Sequence, residues 1–112
     1  MTTIGSPLPS RGEVWWVHVD NRRPAIVVQT DNVREPRVGS FLVVPLTSRL
    51  HLEGLPGNVR YSRQTTSLPK PSVANVYDLQ KVLRSDFSGR VGALGPDDLS
   101  LLESGLRLAL GL

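Results

Sequence analysis

Apolar positions fall in short blocks through most of the chain, and only its last stretch settles into helical spacing. Glu13–Asp20 alternates weakly, is rich in Val and Trp, and predicts a strand. Ala25–Thr30 is a compact apolar run of strand length, suited to the middle of a sheet. Ser40–Leu46 predicts a third strand, with Pro45 marking a bulge or an edge near its end. Asn58–Tyr61 starts a short strand, and Ser72–Arg84 carries enough apolar residues for one or two more. Asp31–Gly39 is polar and predicts a loop, with a mobile tip at Arg34-Glu35-Pro36-Arg37. Arg49–Gly57 and Ser62–Pro71 predict further loops, and Asp86–Val91 a turn or short helical piece.

The terminal segment reads differently. Leu99, Leu102, Leu106 and Leu110 recur at helical spacing over Pro96–Leu110, and Leu101 and Leu108 widen the stripe. Pro96 suits the first helical position, and Asp97 and Asp98 sit in the positive first turn. Gly111 supplies a stop. Gly105 costs the helix about 1 kcal/mol relative to alanine, which points to close packing at that position. Strands followed by one helix predict a mainly β fold, a small antiparallel barrel or bent sheet carrying a C-terminal helix. Residues 1–10 predict a flexible tail, and 11–112 a single domain.

Charge sharpens the picture. The 112 residues carry a formal +3, unevenly spread. Asp97, Asp98 and Glu103 against Arg107 leave residues 97–112 at −2, so residues 1–96 carry +5. Eleven of the thirteen basic residues are arginine; the others are Lys70 and Lys81. That bias suits phosphate, whose oxygens match the planar guanidinium fork, although a GC-rich genome would give the same bias. There is no cysteine, hence no disulfide framework or thiolate metal site, and two histidines among scattered acids give no metal-ligand spacing. With no apolar run of membrane-spanning length and no leader pattern at Met1–Ser10, the expected setting is the cytoplasm, away from membranes.

The candidate chemistry lies at strand ends. Pro24 fixes its own φ and biases Arg23 toward extended backbone, so Arg23 stands on stiff chain. Its guanidinium can meet a phosphate bidentately, or it can be a solvated turn arginine. Thr47 ends the third strand, where its hydroxyl can donate to a phosphate oxygen or satisfy local backbone. Arg22, Ser48 and Arg49 flank the pair. His18 and His51 would make conventional acid and base partners, yet His18 shares a face with Trp16 and Val14, and His51 lies in a loop. Trp15, Trp16 and Tyr61 offer stacking surfaces, with the two tryptophans pointing to opposite faces of their strand. Gln64-Thr65-Thr66-Ser67 is a polar loop suited to base edges, which makes Thr65 and Thr66 candidate RNA contacts. Together these residues suit cleavage of RNA by attack of the ribose 2′-OH on its own 3′ phosphate, a reaction whose largest need is stabilisation of transition-state charge.

With those residues placed, the chain resembles the MazF/PemK family of toxin endoribonucleases from about Arg11 to Leu112. The resemblance rests on Arg11-Gly12-Glu13-Val14-Trp15, on Arg23-Pro24-Ala25-Ile26-Val27-Val28, on the strand ending at Thr47, and on Pro56-Gly57-Asn58-Val59. Ser72-Val73-Ala74-Asn75-Val76 and the Gly105–Leu112 ending look like mycobacterial-type members. The resemblance implies an SH3-like β-barrel acting as a homodimer. It implies a metal-independent, sequence-selective ribonuclease for single-stranded RNA, with no cofactor, leaving 2′,3′-cyclic phosphate and 5′-hydroxyl ends. It implies a cognate MazE-like antitoxin whose acidic tail threads along the RNA site. It places Arg23 and Thr47 at the family's catalytic positions. The chain departs from the family between its first two strands, where only Asn21 and Arg22 separate Asp20 from Arg23 and the usual glycine-rich loop is shortened. A more open site is the consequence expected. A gyrase-poisoning toxin of the CcdB type on the same fold is the alternative, though such toxins use a C-terminal tryptophan and this chain has its tryptophans near the start. A barrel that binds RNA without cutting it is the third.

Overall fold

The computed structural model describes residues 8–32 and 39–112. The Arg34–Arg37 tip and residues 1–7 of the expected tail lie outside them. The last tail residues are held: Pro9 is buried, and the Ser10 amide donates to the Glu13 carboxylate at 2.7 Å.

Among the described residues seven strands follow in chain order: β1 (Glu13–His18), β2 (Arg22–Val27), β3 (Ser40–Thr47), β4 (Val59–Tyr61), β5 (Ser72–Ala74), β6 (Gln80–Leu83) and β7 (Phe87–Ala93). A single-turn helix α1 (Arg63–Thr66) precedes β5, and α2 (Pro96–Leu110) closes the chain. All strand pairs are antiparallel, in the order β4-β5-β3-β2-β1-β7, with β6 also on β3. The sheet does not close. It splits along β3, whose first half pairs with β6 and whose last two residues pair with β5. This is the expected barrel-like fold in its open, split form. Pro45 sits at that changeover, where neither β6 nor β5 faces it in register, so its missing N–H interrupts no ladder bond there.

Both faces of the central strands are buried, and strand alternation divides the core in two. Val14, Ile26, Val44 and Leu46 join Leu102 of α2 on one side. Val17, Ala25, Val27 and Val43 gather around Phe87 on the other. Phe87 is met edge-on by Trp15 at 5.7 Å and Phe41 at 5.3 Å, favourable geometry for aromatic rings.

Two expectations are corrected. Residues 87–93 form β7, an edge strand on β1, and not a turn or helical piece. Gly89 and Gly92 disguise it, since glycine is depleted in strands. Gly92 is needed because a Cβ there would come within 2.8 Å of the Ser67 hydroxyl. The leucine stripe of α2 is also narrower than its spacing suggests. Leu102 is fully buried and Leu99 and Leu106 partly so, whereas Leu101, Leu108 and Leu110 are more than half exposed. Gly105 does mark close packing: it lies against Gly57, whose φ of +96° turns the chain into β4.

Candidate functional site

Arg23 lies inside a strand, because β1 is long enough to pair with β2 as far as Arg22. Ala25 of β2 opposes Pro45 of β3. Carried two residues further, that register sets Arg23 across from Thr47 on one sheet face. Both side chains line a groove of about 480 Å³ at the end of the sheet, beside Trp16, Ser48, Arg49 and the Pro69-Lys70-Pro71 segment.

The polar details of the pair are specific. The Thr47 hydroxyl oxygen accepts the Arg49 amide at 3.2 Å. One acceptor site is thereby occupied, and the hydroxyl keeps its proton for donation to another group. No ion pair or side-chain hydrogen bond engages Arg23, Arg49 or Lys70 among the described residues. Three uncompensated cations therefore face a groove that holds one carboxylate, Asp78. The stiff backbone at Pro24 and the two prolines around Lys70 limit the entropy lost when an anion is bound.

The other sequence candidates separate into two groups. Ser48 and Arg49 join the groove. Arg22 is not in the lining but lies over a residue that is, its guanidinium 4.5 Å from the centre of the Trp16 ring, a cation–π contact that covers the indole. The remaining candidates do not line the groove. Trp15 packs on Phe87, and its indole N–H donates to Glu13 at 3.0 Å. Trp16 is thus the tryptophan that faces the groove. His18 is exposed at the end of β1 opposite Arg22, and His51 is exposed on the short helical turn after Thr47. Thr65 bonds within the Ser62 cap of α1, and Thr66 is fully buried, its hydroxyl accepting the Leu68 amide. Tyr61 is buried too. Its hydroxyl donates to the Asp98 carbonyl at 2.6 Å, and burial, then the Asp98 charge, push its phenol well above the ordinary range.

The groove also holds residues that sequence reasoning did not single out. Lys70, Asn75 and Asp78 all line it. Asn75 is fixed by Asn58, whose amide nitrogen donates to Asn75 Oδ1 at 3.2 Å and whose oxygen takes the Val76 amide at 2.9 Å. The signal for Asp78 was its place in a short polar interruption between apolar strand residues, which alone does not distinguish a site from a turn. Among the described residues no group of three or more His, Cys, Asp or Glu side chains is placed to hold a metal ion. No described helix is long and apolar enough to cross a membrane.

Comparison with known proteins covers nearly the same span. The profile of a family described as PemK-like, MazF-like toxin of type II toxin–antitoxin systems matches residues 10–110. Endoribonuclease MazF6 of Mycobacterium tuberculosis is 32% identical over 111 residues, covering 92% of this chain and 97% of that protein. Among solved structures, Mycobacterium tuberculosis toxin MazF-mt6 superposes with a TM-score of 0.78 at 23% identity, over 89% of this chain and 97% of that one. An endoribonuclease from a mycobacterial species, solved in complex with its cognate antitoxin, gives 0.76 at 22% identity, over 96% and 97%.

Proposed function

Since the chain belongs to the PemK-like, MazF-like toxins of type II toxin–antitoxin systems, we propose that it is an endoribonuclease that cuts single-stranded RNA at the Arg23–Thr47 groove. The observation that carries this reading is an arginine with no counter-ion among the described residues lining one groove with the Thr47 hydroxyl.

The ribose 2′ oxygen attacks the adjacent phosphorus. A bond forms between them, and the bond from phosphorus to the 5′ oxygen of the next nucleotide breaks. The Asp78 carboxylate is the acceptor in the groove for the 2′ proton, and the departing 5′ oxygen takes a proton from water in the open groove. The products are a 2′,3′-cyclic phosphate and a 5′-hydroxyl. Negative charge grows on the non-bridging oxygens as five-coordinate phosphorus forms. Arg23 supplies positive charge and two parallel donors there, and Thr47 supplies one more. Arginine in proteins stays protonated, with a pKa above about 12, so its role is charge stabilisation and not proton transfer. The steps call for no metal. Trp16 offers a base-stacking face once the Arg22 guanidinium moves aside.

The same groove suits regulation by a cognate antitoxin. A flexible acidic tail would neutralise Arg23, Arg49 and Lys70 and occupy the RNA path. The exposed leucines of α2 are one apolar surface available for a homodimer. With RNA as substrate, the place of action is the cytoplasm. Thr47 tests the reading. Thr47→Val keeps the shape and removes the donor, and it is expected to lower the cleavage rate by about 10²-fold, the typical cost of one transition-state donor. Thr47→Ser is expected to retain most activity. Initial rates on one RNA, with melting curves to confirm folding, check this; a Val variant as fast as the unmodified protein removes Thr47 from the chemistry.

A further inference from the structure

The groove does not stop at Pro71. The other side of that residue walls a second cleft, of about 450 Å³, bounded by Glu53, Arg60, Ser62, Arg63 and Gln64. Arg60 projects from β4 and Arg63 opens α1, three residues on. Both are exposed. Arg60 is only loosely engaged, 3.8 Å from Glu53 with both side chains about half exposed, a kind of pair worth roughly 0–1 kcal/mol. Arg63 has no charged or hydrogen-bonded side-chain partner among the described residues.

We propose that this second cleft is a backbone subsite for the same RNA strand, with Arg60 and Arg63 holding phosphates beyond the scissile bond. The inference rests on the ribonuclease reading and extends its footprint. A guanidinium takes a phosphate bidentately and with charge assistance, so a phosphate displaces the weakly held Glu53 from Arg60. Arg49 and Lys70 line the groove on one side of Pro71, and Arg60 and Arg63 line the cleft on the other, so cations stand on both sides of that residue. A cationic track of this kind binds single strands through their backbone and tolerates sequence. The lining has no large apolar side chain on which a protein partner could anchor. Selectivity for sequence then belongs to the first groove, and grip on a long strand to the second.

The test is binding of labelled 2′-O-methyl oligoribonucleotides, which lack the attacking hydroxyl, in trinucleotide and nonamer lengths across a salt series. The unmodified protein is expected to bind the nonamer at least tenfold more tightly. In Arg60→Gln/Arg63→Gln that advantage is expected to vanish, and the slope of log affinity against log salt to flatten by about 1.4, at about 0.7 per phosphate contact on a single strand. Arg60→Lys/Arg63→Lys, which keeps the charge, is expected to keep the slope. No length advantage in the unmodified protein, or an unchanged advantage in the glutamine variant, overturns the subsite. Length-dependent binding by a protein that leaves the corresponding 2′-hydroxyl RNA intact supports the subsite and overturns the ribonuclease reading instead.

Discussion

Arg23→Ala is expected to cleave RNA at least a hundredfold more slowly than the unmodified chain, with its melting temperature unchanged. The stability expectation follows from exposure: the side chain is exposed and engages no partner among the described residues, so folding loses little with it. The activity expectation follows from charge. Removal of one preorganised donor facing developing negative charge typically costs 10²–10³ in rate, roughly 3–4 kcal/mol of barrier, and Arg23 contributes a full positive charge as well. Arg23→Lys separates the two contributions. Lysine restores a point charge but not the parallel pair of donors, so partial recovery is expected. Near-normal cleavage by a folded Arg23→Ala protein would remove the residue from the reaction and return it to the status of a solvated arginine.

Gly105→Ala is expected to be the most damaging conservative change to the fold. In an isolated helix this substitution would stabilise by about 1 kcal/mol. Here the new Cβ would lie 2.0 Å from the Gly57 carbonyl oxygen, a backbone atom that no rotamer change can move away. Relief requires α2 to separate from the turn before β4, against a helix anchored by fully buried Leu102. Overpacking of this kind costs about 1–3 kcal/mol or more, and the backbone contact places this case at about 3 kcal/mol net. The displacement also reaches the groove. Gly57 precedes Asn58, which holds Asn75 in the lining. Urea denaturation checks the expectation through a fall in midpoint at constant slope. A stabilised Gly105→Ala protein would show that helix propensity outweighs the contact.

What the sequence disclosed, and what it hid, follows from the range of the interactions involved. The terminal helix was legible to its last residue, because Pro96, the early aspartates, the leucine spacing and Gly111 are local signals that agree. Which leucines are buried was not, since the width of the buried stripe depends on how much of the helix the sheet covers. β7 was hidden by its glycines, of which Gly92 lies against Ser67, a residue more than twenty positions earlier. Arg23 and Thr47 could be picked singly from strand-end chemistry. That they share a groove needed the β2–β3 register. The tryptophans showed the limit most plainly: alternation put Trp15 and Trp16 on opposite faces, but the structure was needed to show that Trp15 packs on Phe87 while Trp16, packed on the other half of the core, also lines the groove. Lys70, Asn75 and Asp78 enter the groove from distant segments and carried no local mark of it.

One reaction decides whether the Arg23–Thr47 groove cuts RNA. Purified protein, free of any antitoxin, is incubated with a long single-stranded RNA in excess EDTA, and the fragment ends are mapped. Discrete cuts with 5′-hydroxyl and 2′,3′-cyclic phosphate ends are the predicted result, since the proposed reaction takes its charge, donors and proton acceptor from Arg23, Thr47 and Asp78. Intact RNA from folded protein, or cleavage that appears only when a divalent metal is restored, would contradict it.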